Sequence, residues 1–315
     1  MRCLGPAVPV ISLWVQQAVG AYDARLCDDG SYTTRENGFT YVPNAWNADG
    51  KGYSCLAVRD SPAAFDATWR WSSDPGSVHS YPHVKFPDPA LPVPLSNISA
   101  LTLAVQWSMG PGSTPRPIPS IDASGLAKFD VSANAAFDIF ADRNPSNSQK
   151  ETEAETEIMV WLGRIGYAQP LGYDGDKECC EKVRVGHVNF TLYQGKNQRG
   201  TSVFTWAAET DETSFAADIS PLLQHLWRTG LVSTGSHLGI IGFGTEGYHA
   251  EGNVTFSTSS YGVNLLIGPA PTLPSVPTPT SCPPAPSSSN TGRLHGPWLS
   301  SLSISGIVGT LLLFL

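Results

Sequence analysis

The sequence predicts an all-β protein, a β-jelly roll sandwich of two curved antiparallel sheets with one short helix packed outside. Three observations carry this expectation. Short apolar-alternating runs recur from about Tyr22 to Ile267, separated by clusters of Gly, Pro, Asn and Ser, which is the pattern of many short strands joined by turns. The 315 residues include 30 Gly and 26 Pro together with 9 Trp, 10 Tyr and 12 Phe, so turn formers and strand-favouring aromatics are both abundant. Charged residues make up only 15%, as suits an extracellular β domain.

The elements follow in order. LTLAVQW (residues 101–107), VSANAAFDIF (131–140), EIMVWLG (157–163), HVNFTLY (187–193) and NVTFSTSSYGVNLLI (253–267) alternate with period two and read as strands. ISPLLQHLWRTG (219–230) reads as the single helix, with Ser220 as its cap, Pro221 at its first position and Gly230 at its end. After Ile267 the composition shifts to Pro, Ser and Thr (GPAPTLPSVPTPTSCPPAPSSS). Such a stretch cannot bury a core and is expected to form an extended stalk.

Both ends carry processing patterns. Met1-Arg2 followed by LGPAVPVISLWV and small residues at 18–21 reads as a secretory leader over residues 1–21. LSISGIVGTLLLFL (302–315) is too short for a stable membrane crossing. Preceded by small residues and a polar spacer, it reads as a glycosylphosphatidylinositol attachment signal over 291–315, with Ser288, Ser289 or Asn290 as the attachment neighbourhood. The expected organisation is therefore leader 1–21, catalytic domain 22–267, stalk 268–290 and tail signal 291–315. The protein is expected at the cell surface, as a monomer, touching membrane or wall only through that anchor. Sequons at Asn97, Asn189 and Asn253 are expected N-glycosylation sites. The net charge of −8 without a basic run argues against nucleic acid or an anionic lipid surface as partner.

Six cysteines fit an oxidising compartment. Cys3 falls in the leader. Cys27 and Cys55 flank a short aromatic segment and could staple the first strands. Cys179 and Cys180 are adjacent, where ordinary disulfide geometry is strained, and their pairing and that of Cys282 stay open. No His or Cys spacing suggests zinc, and no cofactor is expected.

The chemistry concentrates on three strands. In EIMVWL, Ile158, Val160 and Leu162 share one face and Glu157, Met159 and Trp161 the other. A carboxylate, a thioether and an indole in line fit a cleft floor, acid chemistry beside a sugar-stacking platform. In GIIGFGTE, Glu246 shares a face with Gly242 and Gly244, which clear space there. In NAAFD, Asn134 and Asp138 flank small Ala136. The acidic run KETEAETE reads, apart from Glu157, as a solvated loop, so Glu151, Glu153 and Glu155 are expected to do nothing beyond facing water.

Together these segments resemble glycoside hydrolase family 12, in order along nearly the whole expected domain. CDDGSY with GYSC resembles the family's N-terminal disulfide pair, which implies a Cys27–Cys55 bridge. YVPNAWN resembles its Asn-x-Trp cleft segment, and ATWRWSSDPGSVHSYPHVKF its Trp-x-Trp strand and following turn. NAAFDIF, EIMVWLG and FGTEGY resemble its three catalytic-site strands. The resemblance implies a retaining, endo-acting hydrolase of β-1,4-glucan, cellulose-type glucan or xyloglucan, with mixed-linkage glucan a further candidate substrate. It implies Glu157 as nucleophile, Glu246 as general acid/base, and Asp138 as an acid hydrogen-bonded to the nucleophile. Asn44, Trp46, Asn134, Met159 and Trp161 match residues that hold glucosyl units, Tyr248 stands where Phe is common, and Trp71 is either a further platform or a core aromatic. Retaining chemistry needs carboxyl groups about 5–5.5 Å apart, one ionised and one protonated; a protonated Asp138 favours an acidic working pH. Gly247 replaces the family's usual proline, which predicts a looser turn after Glu246, and residues 172–187 fit the family poorly, which predicts a remodelled loop. The alternative is a non-catalytic glucan-binding wall protein on the same fold.

Overall fold

A computed structural model describes residues 22–46, 51–59, 64–175 and 181–271. The expected leader, Cys3, Cys179, Cys180, Cys282, attachment residues 288–290 and the tail lie outside the described residues. Among the described residues the chain forms β1 (Tyr22–Cys27), β2 (Tyr32–Thr33), β3 (Thr40–Val42), β4 (Gly52–Arg59), β5 (Ala64–Trp71), β6 (His83–Lys85), β7 (Val93–Pro94), β8 (Ile98–Pro111) and β9 (Ser120–Ile121). Then follow α1 (Ala123–Ala127), β10 (Ser132–Asp142), α2 (Pro145–Ser148), β11 (Thr156–Ile165), β12 (Lys182–Val185), β13 (Val188–Lys196), β14 (Ser202–Ala208) and β15 (Ser214–Asp218). The last elements are α3 (Ser220–Arg228), β16 (His237–Gly244), β17 (Gly247–His249) and β18 (Val254–Ile267).

Two sheets result. The smaller runs β1-β4-β5-β18-β8-β15, with β9 beside β8; the larger runs β12-β13-β14-β11-β10-β16-β6-β3-β2, with β17 beside β10 and β7 beside β16. The expected antiparallel pairing holds with two exceptions: β8–β9 and β11–β14 are parallel. A parallel neighbour requires a long crossover, and the chain between Ile165 and Ser202 supplies it by passing through the β12–β13 hairpin.

The alternation read from the sequence explains the core. Ile158, Val160 and Leu162 of β11, Phe137 and Ile139 of β10, and Ile241 and Phe243 of β16 are all fully buried between the sheets. They meet Trp107 of β8 and Phe256 of β18: Phe137, Phe243, Phe256 and Trp107 form a chain of ring contacts at 4.6, 5.9 and 6.0 Å that links one sheet to the other. Each such ring removed from water stabilises by roughly 2–3 kcal/mol. Trp71 belongs to this core too. It is fully buried, donates its indole N–H to Ser80 Oγ at 2.9 Å and stacks on His79. The sugar-platform alternative for Trp71 is therefore overturned, because its strand packs that face inward.

A bulge shapes the larger sheet. Ala135 pairs with Gly163 but Ala136 pairs with Trp161, leaving Leu162 as the extra residue of β11. Leu162 and Gly163 then both face the core, and a Cβ at Gly163 would sit 2.5 Å from the Trp107 ring. Trp161, one step on, is returned to the opposite face.

The helix forms where expected but is capped differently. Ser220 is its first residue rather than its cap; Asp218 accepts from the Ser220 N–H at 2.9 Å and from its hydroxyl at 3.0 Å. Aspartate is the stronger acceptor for an unpaired helix N–H. Leu222, Leu223 and Leu226 turn inward against the sandwich. At the N-terminal edge a disulfide joins Cys27 and Cys55, which sit directly opposite in the β1–β4 ladder.

Candidate active site

The larger sheet's outer face carries the predicted carboxyls, and the strand register sets their relations. Along β10 and β11, Asp138 lies opposite Met159 and Phe140 opposite Glu157. Along β10 and β16, Asp138 lies opposite Gly242 and Ala136 opposite Gly244. Glu246 follows β16 by two residues and precedes β17, which returns to β10.

Glu246 is clamped. Asn134 Oδ1 accepts from its backbone N–H at 2.8 Å, Asn134 N–H donates to its carbonyl at 3.2 Å, and Asn134 Nδ2 donates to its carboxyl Oε2. Tyr248 O–H donates to the same oxygen at 3.2 Å, a bond that phenylalanine could not make. Asn134 is fully buried, so this residue, expected against sugar, positions Glu246 instead. The turn beyond is not loose. Gly247 N–H donates to Ser80 O and its carbonyl accepts from His79, both at 2.9 Å, and a Cβ on Gly247 would lie 3.1 Å from Trp69. Proline lacks the N–H that this pairing uses.

Burial, then the negative charge of Glu157, pushes the Glu246 carboxyl up to about 8, against the hydrogen bonds from Asn134 and Tyr248. Burial pushes Glu157 up to about 7, while Arg199 and a 3.3 Å hydrogen bond from Asn197 Nδ2 pull it down and Glu151 opposes them. Arg199 and Asn197 thus favour the ionised form of Glu157, and the Glu157 charge in turn favours the protonated form of Glu246. Burial and the charges of Glu157, Glu151 and Glu246 hold Asp138 well above the usual carboxyl range, so Asp138 keeps its proton. The expected hydrogen bond from Asp138 to Glu157 is absent, and Asp138 Oδ1 is buried without a partner among the described residues. The register explains this: the two residues are diagonal rather than opposite neighbours, about 7–8 Å apart in backbone.

The remaining expected site residues divide. Met159 and Trp161 share a small apolar cluster with Ala136, Ala168 and Tyr193, onto which Tyr173 and Tyr248 pack. Both are nearly fully buried, with the Trp161 indole N–H directed at Met159 Sδ at 3.4 Å. In this structure they support the floor rather than present a ring to solvent, because the 166–173 stretch brings Ala168 and Tyr173 over them. Trp46, in contrast, is 51% exposed. Its segment is tied to the site laterally: Ala45 bridges to Ser80, and Ser80 bridges to Gly247. Asn44 adopts a left-handed backbone (φ 45°) and accepts from Tyr81 N–H at 2.9 Å, a conformation asparagine tolerates. The glycines that clear the Glu246 face do so for a neighbouring strand, since a Cβ at Gly244 would lie within 2.7 Å of His83 Cβ.

Sequence reasoning missed Asn197, Arg199, Lys85 and His83, and dismissed Glu151. Glu151 is no solvated bystander: its Oε1 lies 2.5 Å from Lys85 Nζ and 3.6 Å from His83 Nε2. The alternation of His83 and Lys85 on one face of HVKF was a usable signal. Nothing local marked Asn197, whose turn becomes a partner of Glu157 only through the β11–β14 pairing.

The profile of Glycosyl hydrolase family 12 matches residues 37–265. A probable xyloglucan-specific endo-beta-1,4-glucanase A of Aspergillus flavus is 28% identical over 248 residues, covering 77% of this chain and 91% of that protein. The xyloglucan-specific endo-beta-1,4-glucanase A of Emericella nidulans is 27% identical with the same coverages. Among solved structures, Trichoderma harzianum endoglucanase 3 superposes with a TM-score of 0.63 at 22% identity, covering 77% of this chain and 97% of its own. The family 12 xyloglucanase of Bacillus licheniformis gives 0.61 at 18% identity, over 77% and 100%.

Proposed function

Because the chain belongs to Glycosyl hydrolase family 12, whose profile spans more than half of it, we propose that it cleaves β-1,4-glucan backbones internally, with xyloglucan as the preferred substrate. The hydrolase is a glycosidase acting by two carboxyls. The observation that carries the roles is their different setting: Arg199 and Asn197 pull Glu157 toward its ionised form, while Asn134 and Tyr248 hold the Glu246 carboxyl where burial and then the Glu157 charge favour its protonated form.

In the retaining reaction Glu157 attacks the anomeric carbon as the glycosidic C–O bond breaks, and Glu246 gives its proton to the departing oxygen. Water then enters. Glu246, now ionised, takes a proton from it while the oxygen displaces Glu157 from the anomeric carbon. Loss of the Glu157 charge in the first step as Glu246 ionises, and its return in the second as Glu246 is reprotonated, keep the pair at one negative charge throughout, which suits two desolvated carboxyls that cannot cheaply ionise together. Asp138, protonated, adds no charge against the nucleophile. Asn134 orients Glu246, and exposed Trp46 offers an aromatic face for a glucosyl unit away from the cut.

Xyloglucan as preferred substrate is supported by the names of the fungal relatives. Secretion, leader removal, N-glycosylation at Asn97, Asn189 and Asn253, the stalk and the lipid anchor at the tail belong to the same proposal, as does a monomeric state. Secretion and the anchor are supported by the terminal patterns and by the Cys27–Cys55 bridge, a bond of oxidising compartments.

The test is reducing-end release from xyloglucan, mixed-linkage glucan and carboxymethyl cellulose by the full-length protein and by Glu157→Gln and Glu246→Gln. Release strongest on xyloglucan and lost in both variants is the expected result. A folded protein inert on all three would leave the glucan-binding alternative in its place.

A further inference from the structure

The loop between β10 and β11 does more than connect them. It folds against β16, where Gly239 has no room for a Cβ because Ser148 O would lie 2.2 Å away, and it delivers Glu151 to the outer face beside the carboxyl site. Three side chains from two elements then grip Glu151. From β6, Lys85 Nζ lies 2.5 Å from Oε1 and His83 Nε2 3.6 Å from it. From the turn before β14, Arg199 donates to the Glu151 carbonyl at 3.2 Å. That same turn provides Asn197 to Glu157, so the loop and the nucleophile share one support.

The grip is built. The His83 side chain is only 2% exposed. Its ring stacks on Tyr81 at 4.6 Å and its Nδ1 donates to Tyr81 O at 2.7 Å, which leaves Nε2 turned toward Glu151. Tyr81 in turn donates to Ala136 O at 3.0 Å. Lys85 lies directly opposite Gly242, and Gly242 directly opposite Asp138. At Gly242, between Lys85 and Asp138 in the sheet, a Cβ would lie 3.3 Å from His83 Cδ2, so the missing side chain makes room for the His83 ring that faces Glu151; Asp138 Oδ1 is buried and unpartnered among the described residues.

We propose that Glu151, fixed by Lys85, His83 and Arg199, is a positioning residue for the catalytic carboxyls: a permanent negative charge beside them that holds a proton on Asp138 and sets the pH at which Glu157 becomes the nucleophile. Supporting this, the Lys85 ammonium and the adjacent His83 ring outweigh burial and hold the Glu151 carboxyl at about 2, so it is ionised from acidic through neutral pH. The charged and titratable groups facing Asp138 and Glu157 are Glu246 and Tyr248 from the β16–β17 turn, Tyr81, His83 and Lys85 from β6 and its approach, Arg199 from the β14 turn, and Glu151 itself. Glu151 alone among them is an acid that the chemistry does not use. A fixed anion makes ionisation of its neighbours harder; its removal makes it easier.

The activity arm rests on the hydrolase reading, and a second arm does not. In the first, pH profiles of kcat/KM on xyloglucan are compared for the wild type, Glu151→Gln and Lys85→Met. Glu151→Gln is expected to move the acid limb down by about half to one pH unit, and Lys85→Met to move it up, with plateau kcat within a few-fold. In the second arm, carboxyl carbon shifts of Asp138 and Glu157 are followed by NMR as pH is varied; their midpoints are expected to move in the same opposite directions. A merely structural role would lower the melting temperature of both variants and leave the limbs and midpoints in place, and shifts of the same sign in both variants would equally overturn the proposal. A wild type without turnover would sink the hydrolase reading, while the NMR midpoints would still decide the role of Glu151.

Discussion

Replacing Glu246 by glutamine should stabilise the protein at neutral pH while abolishing its activity. The native carboxyl titrates at about 8 and its ordinary value is 4.5. Below 4.5 the group is protonated in both folded and unfolded chains and contributes no difference. Between 4.5 and 8 the unfolded chain releases the proton and the native site retains it, so native stability falls with each step in pH by up to about 1.4 kcal/mol per unit. Above 8 both forms are ionised and the penalty is constant. Glutamine carries no charge and keeps the clamp: its amide oxygen can accept from Asn134 Nδ2 and Tyr248 O–H as Oε2 does now. The variant should match the wild type below pH 4.5 and exceed it by about 2 kcal/mol at pH 6 and by several at pH 7.5. In melting temperature that is about 4–8 °C at pH 6 for a domain of this size. Thermal unfolding of both proteins in half-unit steps from pH 4 to 9 measures the effect. Parallel curves, or a less stable variant at pH 7.5, would refute the claim that the folded site holds a proton on this carboxyl up to about pH 8.

Three other outcomes follow from contacts already described. Asn134→Ala should lower kcat on the order of 10–100-fold with a smaller change in KM, since it frees the acid from its clamp without touching substrate; steady-state kinetics on xyloglucan separates the two parameters. Exchanging both Cys27 and Cys55 for alanine opens a loop of 28 residues and should cost about 3 kcal/mol, read as a melting temperature lower by on the order of 10 °C. Gly247→Pro should lose the hydrogen bond to Ser80 and press its ring on Trp69, costing about 2–3 kcal/mol in chemical denaturation together with activity; an unchanged midpoint would mean that the turn tolerates the family's commoner residue.

The sequence exposed the parts of this protein that depend on local periodicity. Period-two alternation separated Ile158, Val160 and Leu162 from Glu157, Met159 and Trp161, and placed Asn134 with Asp138 and Glu246 with two glycines. A strand has two faces wherever it lies, so those assignments hold before any partner strand is known. Composition and turn residues announced the sandwich for the same reason. What alternation cannot say is which layer covers a face. Trp71 alternates as a platform would, yet its face packs on Ser80 and His79. Glu151 reads as part of an acidic run, yet a loop folded against β16 carries it to Lys85 and His83.

By itself, then, the amino-acid sequence determined the strands, their inward faces, the three carboxyls and the family to which they belong. Tertiary structure alone decided the parallel seating of β14 on β11 that brings Asn197 to Glu157, the conversion of Asn134 from sugar contact to clamp, the firm turn at Gly247, and the recruitment of Glu151. Each of those depends on contacts between residues remote in the chain, where the free energy of a charge or an amide is set by what surrounds it in space. Sequence order carries side-chain chemistry and local geometry; burial and partnership, which give Glu157 and Glu246 different affinities for the same proton, arise only when the sheets close.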